Sequence, residues 1–251
     1  MVGNMLEINS VNHGDCLELM KEIPDKSIDM ILCDLPYGTT ACKWDTVIPF
    51  EPLWEQYNRI IKDKSNILLF GSGIFAFKLA LSNEKLYRYD IVWKKSKCGS
   101  PLTAKYMPLK KHELILVFGQ SASKYNPQMT IGEPYKRNYT PNKKNNMEFG
   151  IKGVKTNNKG TRHPITVIDT PQQWRRQDQL HPTQKPVALF EYLIKTYTNE
   201  KDLVLDNCAG SGTTGIACLN TKRDYILIEK EEGYIKIIKD RIKEHNVQTT
   251  F

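Results

Sequence analysis

Residues 202–230, DLVLDNCAGSGTTGIACLNTKRDYILIEK, constrain the fold of this chain more than any other stretch. An apolar β-rich run is followed by a glycine turn, a helical stretch and a second β-rich run, the unit from which parallel sheets with flanking helices are built. Earlier stretches repeat the alternation. LEINSVNHGD, SIDMILCDLPYG, NILLFGSG, YDIVWKKS and HELILVFG each end an apolar run in a polar or glycine turn, while DCLELMKEI, PLWEQYNRIIKDK and GIFAFKLALSNEK carry helical patterns. KPVALFEYLIKTYT reads as an amphipathic helix with Pro186 suited to its first turn, and EEGYIKIIKDRIKEH as a closing helix. The expected class is α/β, with a mostly parallel sheet covered by helices on both faces.

Residues 120–180 break this pattern. Apolar periodicity fades and Asn, Lys, Gly, Pro and Thr dominate, as in YKRNYTPNKKNNMEFGIKGVKTNNKGTRHP. Three regions follow: an α/β half over 1–119, an inserted region over 120–180, and a second α/β half over 181–251. The formal net charge is +8, which favours an anionic partner, nucleic acid or an anionic membrane surface. Most of the excess lies in the middle region, with Lys124, Lys136, Arg137, Lys143, Lys144, Lys152, Lys155, Lys159, Arg162, Arg175 and Arg176. No apolar run approaches a membrane span and the N-terminal residues lack a signal-peptide pattern, so a cytoplasmic protein is expected. The six cysteines include no C-x-x-C pair. Reduced thiols are expected, with neither a metal site nor a disulfide framework.

In VLDNCAGSGTTG, glycines between a strand and a helix let backbone approach a ligand, and Glu229, at the tip of the next strand, suits the hydroxyls of a ribose. Gly210, Gly212 and Gly215 also fit the G-x-G-x-x-G pattern of nicotinamide dinucleotide enzymes, so an NAD-dependent oxidoreductase is a rival, and a plain structural turn is the bland alternative. Two features favour S-adenosylmethionine. The turn lies near the end of the chain, with one clear strand after it, and the dinucleotide reading gives no task to DLPY at 34–37.

SIDMILCDLPYG delivers Asp34 to the C-terminal end of a strand, where ligands collect in open α/β sheets. Pro36 fixes its own φ and biases Leu35 toward an extended conformation, which directs the backbone carbonyls. An exocyclic amine on an aromatic base suits such a loop. Its lone pair is delocalised into the ring, and accepting hydrogen bonds from both of its protons localises that pair on nitrogen. The Asp34 carboxylate and the Leu35 carbonyl can be those acceptors, with the face of Tyr37 on the base. Considered alone, DLPY also fits an ordinary strand-ending turn.

Together these residues resemble the amino-methyltransferases of DNA. DLPY is similar to their D/N/S-P-P-Y/F/W motif, LDNCAGSGTTG to their S-adenosylmethionine loop, and HPTQKP at 181–186 to the motif leading into the helix beside the cofactor. The order, acceptor loop first and cofactor loop last, resembles the circularly permuted β group, with a Rossmann-like sheet. The resemblance implies Asp34, Leu35, Pro36 and Tyr37 as the catalytic loop. It implies Asp206, Cys208, Ala209, Gly210, Ser211, Gly212 and Thr213 at the methionine end of the cofactor, and Glu229 at the ribose. Lys185 and Pro186, at the start of a helix, would face the methionine carboxylate, with Asp34 also beside the cofactor. Asp15 and Cys16 would lie near the adenine ring, although Asp15 also suits a helix N-cap.

The chain departs from that family's pattern at three points. Leu35 replaces a proline, Asn207 and Cys208 replace Pro-Phe, and Asp34 stands where the cytosine-N4 enzymes usually carry Ser. The last favours adenine N6 as acceptor, with cytosine N4 as the alternative. Such an enzyme acts on double-stranded DNA and extrudes its target base. The region 120–180 is the natural place for target recognition, with Arg175 and Arg176 beside Gln172, Gln173 and Trp174 able to read base edges. Lys43 and Trp44 follow the catalytic loop and suit a flap over the extruded base, or, for Trp44, a core anchor. A homodimer and a cognate restriction endonuclease are further candidate partners by the same resemblance.

Overall fold

A computed structural model describes residues 5–39, 45–99, 101–120, 122–140, 153–169 and 184–248. Two compact units emerge, one of Met1–Asn126 with Thr166–Phe251 and a smaller one of Pro127–Ile165.

The larger unit begins with β1 (Ser10–His13), the short helix α1 (Cys16–Leu19) running into a 3-10 turn, β2 (Ile28–Cys33), α2 (Phe50–Ile60), β3 (Ile61–Gly71), α3 (Ile74–Ser82), β4 (Tyr87–Lys94) and β5 (His112–Gly119). The smaller unit holds β6 (Thr130–Ile131), β7 (Tyr135–Tyr139), β8 (Val154–Asn158) and β9 (Thr161–Arg162), paired as two antiparallel ladders, β6 with β9 and β7 with β8. The larger unit resumes with β10 (Val167–Asp169), α4 (Val187–Tyr197), β11 (Leu203–Asp206), α5 (Thr213–Thr221), β12 (Asp224–Glu229) and α6 (Glu232–Gln248).

Eight strands form one sheet in the order β1-β12-β11-β2-β3-β5-β4-β10. Neighbours are parallel except where β5 meets β3 and β4, so β5 runs against the rest. Period-two alternation of wholly apolar strands sends side chains to two cores. Ile31 and Cys33 of β2 join Leu53, Trp54, Tyr57 and Ile60 of α2 and Phe75 and Leu79 of α3 on one face. Met30 and Leu32 join Leu189, Phe190, Leu193 and Ile194 of α4, Ala217 of α5 and Ile238 of α6 on the other. The sheet therefore has helices on both faces, and no helix among the described residues is long and apolar enough to cross a membrane.

One sequence expectation shifts. The helical pattern in PLWEQYNRIIKDK continues to Lys64, but α2 stops at Ile60, because Ile61 pairs with Ile28 and is already extended. The ladder slips before it resumes at Asn66 opposite Met30, and Lys64 takes φ +60° in the slip. Strand pairing thus overrides helical periodicity. The smaller unit, Pro127–Ile165, lies within 120–180. Lys124 is bound by Asp202, the Asn126 side chain donates to the Thr198 carbonyl at 2.9 Å, and β10 pairs with β4 at the sheet edge, so Lys124, Asn126 and Val167–Asp169 belong to the larger unit.

Candidate active site

The strands present their C-terminal ends in a row, which brings Asp15, Glu229, Asp206 and Asp34 to the ends of β1, β12, β11 and β2. At β2 the chain leaves a fully buried strand and turns at once. Leu35 is buried in the core and anchors the turn from below. The Asp45 carboxylate accepts the Gly38 and Thr39 N–H groups at 2.8 Å each, which closes the loop from the far side. The Tyr37 ring stacks on Phe75 at a centroid distance of 4.9 Å, and its hydroxyl donates to Asp34 Oδ1 at 2.8 Å. One face of Tyr37 is therefore occupied by the protein itself, and burial beside Asp34 lifts the phenol well above its ordinary pKa.

Lys185 joins the two halves of the site. Its carbonyl accepts from the Thr213 hydroxyl at 3.3 Å, while its ammonium donates to Asp34 Oδ2 at 2.5 Å. The same ammonium lies 3.2 Å from Glu113 Oε2, and Glu113 Oε1 accepts from Lys95 at 2.9 Å. Lys185 is only 8% exposed at its side chain. Burial alone would lower its pKa, but Asp34 and Glu113 outweigh that and raise it, so the ammonium persists. Burial likewise pushes the Glu113 carboxyl up, and Lys185 and Lys95 more than reverse the effect. The ammonium is thus engaged by Asp34 of the loop after β2 and by Glu113. Pro186 caps α4 immediately after it.

The turn after β11 is held by side-chain and backbone hydrogen bonds. Asp206 is 3% exposed; it accepts from the Thr214 hydroxyl and from the Cys208 N–H at 3.1 Å. Burial pushes its carboxyl up to about 7 against those bonds. Asn207 Oδ1 accepts from the buried Tyr57 hydroxyl at 2.6 Å, which explains how the turn tolerates asparagine where the related pattern has proline. Ala209 donates to Ile228 across the strand ends, and the Ser211 carbonyl accepts from Arg241 of α6.

Two glycines of the turn are needed for different reasons. Gly212 has φ +77° and its missing Cβ would meet Ile238 at 2.9 Å, so it serves packing against α6. Gly210 has φ +53° and nothing stands within 4 Å of where a Cβ would be. That open space is where a ligand could approach the backbone. Glu229 borders it, with Oε2 accepting the Gly210 N–H at 2.7 Å and Oε1 the Glu231 N–H at 2.8 Å. Burial raises its pKa above the ordinary value despite these bonds. A glycine with free space, a carboxylate at the next strand end and the buried Asp206 at the end of β11 fit an adenosyl amino-acid ligand carrying positive charge.

At the far end of the row, Asp15 caps α1 by accepting from the Leu17 N–H at 3.0 Å, and Lys230 lies 3.4 Å away. The N-cap alternative is thus realised. The Cys16 thiol bonds to Cys208, which with burial raises its pKa and keeps it a neutral thiol. Cys16, Cys33, Cys98, Cys208 and Cys218 are all free thiols, and no group of metal ligands assembles among the described residues. Lys43, Trp44, Arg175 and Arg176, with Gln172, Gln173, Trp174 and His181, lie outside the described residues. Sequence reasoning missed Glu113, Lys95 and Tyr57, and placed Asp45 with Lys43 and Trp44 in the stretch after the DLPY loop without giving it a partner. Glu113 did leave a signal, a lone carboxylate at the head of the apolar run ELILVFG.

Comparison with known proteins places this geometry. The chain is 28% identical over 260 residues to the Type II methyltransferase M2.MboI of Moraxella bovis, covering 94% of this chain and 88% of that one. It is 28% identical over 245 residues to the Type II methyltransferase M.HpaI of Haemophilus parainfluenzae, covering 91% and 72%. Among solved structures, that of the M1.HpyAVI–SAM complex superposes with a TM-score of 0.61 at 24% identity over 92% of this chain and 98% of that one. The cytosine-N4-specific PvuII DNA methyltransferase superposes with a TM-score of 0.66 at 17% identity over 94% and 87%. These likenesses establish the Rossmann-like methyltransferase sheet expected from the sequence. With residues 28–240 matching the N6_N4_Mtase family, described as DNA methylase, the chain belongs to that family.

Proposed function

We propose that this DNA methylase transfers a methyl group from S-adenosylmethionine to N6 of adenine within a specific sequence of double-stranded DNA. The observation that carries the reading is the position of Asp34, at the end of β2 beside the strand that ends in Asp206 and the open Gly210 turn. In this reading Gly210, Glu229 and Asp206 hold the cofactor, whose sulfonium supplies an electrophilic methyl group. Asp34 and the Leu35 carbonyl accept the two N–H bonds of the amine, which draws its lone pair out of the aromatic ring and toward the methyl carbon. The new N–C bond would form as the sulfur–methyl bond breaks, its electron pair remaining on a neutral thioether; nitrogen then sheds one proton, and the Asp34 carboxylate is placed to receive it. Tyr37, fixed by Phe75, sets the direction of Asp34.

The acceptor loop precedes the cofactor turn in the chain, which supports the circularly permuted β-group arrangement. Aspartate at position 34 supports adenine over cytosine. Recognition of the target sequence is assigned to the basic region 120–180, Arg175 and Arg176 included, and closure over the base to Lys43 and Trp44. Mass spectrometry of nucleosides from DNA incubated with protein and S-adenosylmethionine tests the reading. N6-methyldeoxyadenosine is expected; N4-methyldeoxycytidine, or no methylated nucleoside at all, would overturn it.

A further inference from the structure

Both oxygens of Asp34 are engaged in the resting protein, Oδ1 by Tyr37 at 2.8 Å and Oδ2 by Lys185 at 2.5 Å. A carboxylate that must draw on an amine N–H is weakened by an ammonium held against it. Glu113 offers that ammonium a second seat. Its Oε2 is buried and already lies 3.2 Å from Lys185 Nζ, an ion pair longer than the one to Asp34. Its Oε1 is held by Lys95, which fixes the carboxylate in direction and in charge. The Lys185 backbone is tied to Thr213, so a change of partner needs only side-chain rotation. The faces of Phe70 and Trp93 lie 5.2 and 5.9 Å from Nζ and would accompany a cation moving between the carboxylates.

We infer that Glu113 is a positioning residue that receives the Lys185 ammonium when the target amine is seated, so that Asp34 Oδ2 turns its charge to the N–H. The inference rests on Asp34 being the amine acceptor. Loss of Glu113 leaves the lysine on Asp34 and slows transfer without touching either ligand.

The test compares wild type, Glu113→Gln, Glu113→Asp, Lys185→Met, the Glu113→Gln/Lys185→Met double variant and Asp34→Ala in single-turnover methylation, with dissociation constants for cofactor and DNA. Glu113→Gln should lower the transfer rate by about tenfold or more while both dissociation constants stay within about twofold. Glu113→Asp should recover part of the rate. In the Lys185→Met background, Glu113→Gln should cost nothing further, since no ammonium remains to be moved. An unchanged rate in Glu113→Gln, a loss that persists in full in the Lys185→Met background, or a loss confined to cofactor affinity would each overturn the inference. If Glu113→Gln does not fold, the Glu113→Asp rate decides, an undiminished rate counting against. Full activity of Asp34→Ala would instead sink the acceptor reading itself.

Discussion

Asp34 closes β2 and Asp206 closes β11, the adjacent parallel strand, yet the two carboxylates live in opposite surroundings. Asp34 is a quarter exposed at its side chain and faces the Lys185 ammonium at 2.5 Å. Asp206 is buried among a hydroxyl, a backbone N–H and thiols, and no ion pair among the described residues includes it. The protein gives one carboxylate a cation of its own and leaves the other without one among the described residues. A group lacking a cation in the resting state gains most from a ligand that brings one. In the proposed reading the cofactor does so, and the amine, which arrives neutral, meets the carboxylate that the protein has paired with a cation of its own.

The contrast breaks most completely at Asp34. Asp34→Ala is expected to lower methyl transfer by about a thousandfold or more, because no other group in the loop can replace the charged acceptor. Glu113 still holds Lys185, so the variant should fold, and cofactor affinity should stay within about threefold by calorimetry. Transfer within tenfold of wild type would remove Asp34 from the chemistry.

Asp206 sharpens the same contrast through pH. Its carboxyl is raised from 3.8 to about 7, so the folded protein binds this proton more tightly than the unfolded chain. The stability it contributes is fully present below the unfolded value and is lost as pH climbs toward 7, by up to roughly 4 kcal/mol. Asp206→Asn should therefore flatten the fall in urea midpoint between pH 4 and pH 7.5 relative to wild type. It should also weaken cofactor binding most above pH 7, where the wild-type carboxylate is ionised. Parallel pH curves for the two proteins would show that burial is not what governs this group.

Much of this site was legible because its signals are local. A strand that stops at Asp-Leu-Pro-Tyr, a glycine turn between strand and helix, and an aspartate one residue before a helix each declare themselves within a few residues. What escaped depends on pairings across the chain. Lys185 meets Asp34 over a separation of 151 residues, and its charge alone pointed as readily to a ligand carboxylate as to a protein one. Glu113 sits at the start of a strand whose composition marks it as core. The reversed direction of β5 is also invisible in composition, since β4 and β5 carry the same kind of apolar run and only their ladder sets which way each points. The end of α2 moved for the same reason.

The smallest effect is expected where neutral bonds hold the cofactor turn. The Tyr57 hydroxyl donates to Asn207 Oδ1 at 2.6 Å, both residues being buried. Tyr57→Phe keeps the ring in the core beneath α2 and leaves Oδ1 without its donor, at a cost of about 1–2 kcal/mol by urea denaturation. Transfer rate should be unchanged and cofactor affinity reduced no more than a few-fold, because the backbone bonds from Cys208 to Asp206 and from Gly210 to Glu229 still shape the turn. If the catalytic loop depends on charge and the cofactor turn on many modest bonds, removing one such bond shifts stability before function. A loss of activity approaching that of Asp34→Ala would mean the reverse, that the turn hangs on the single Tyr57–Asn207 bond.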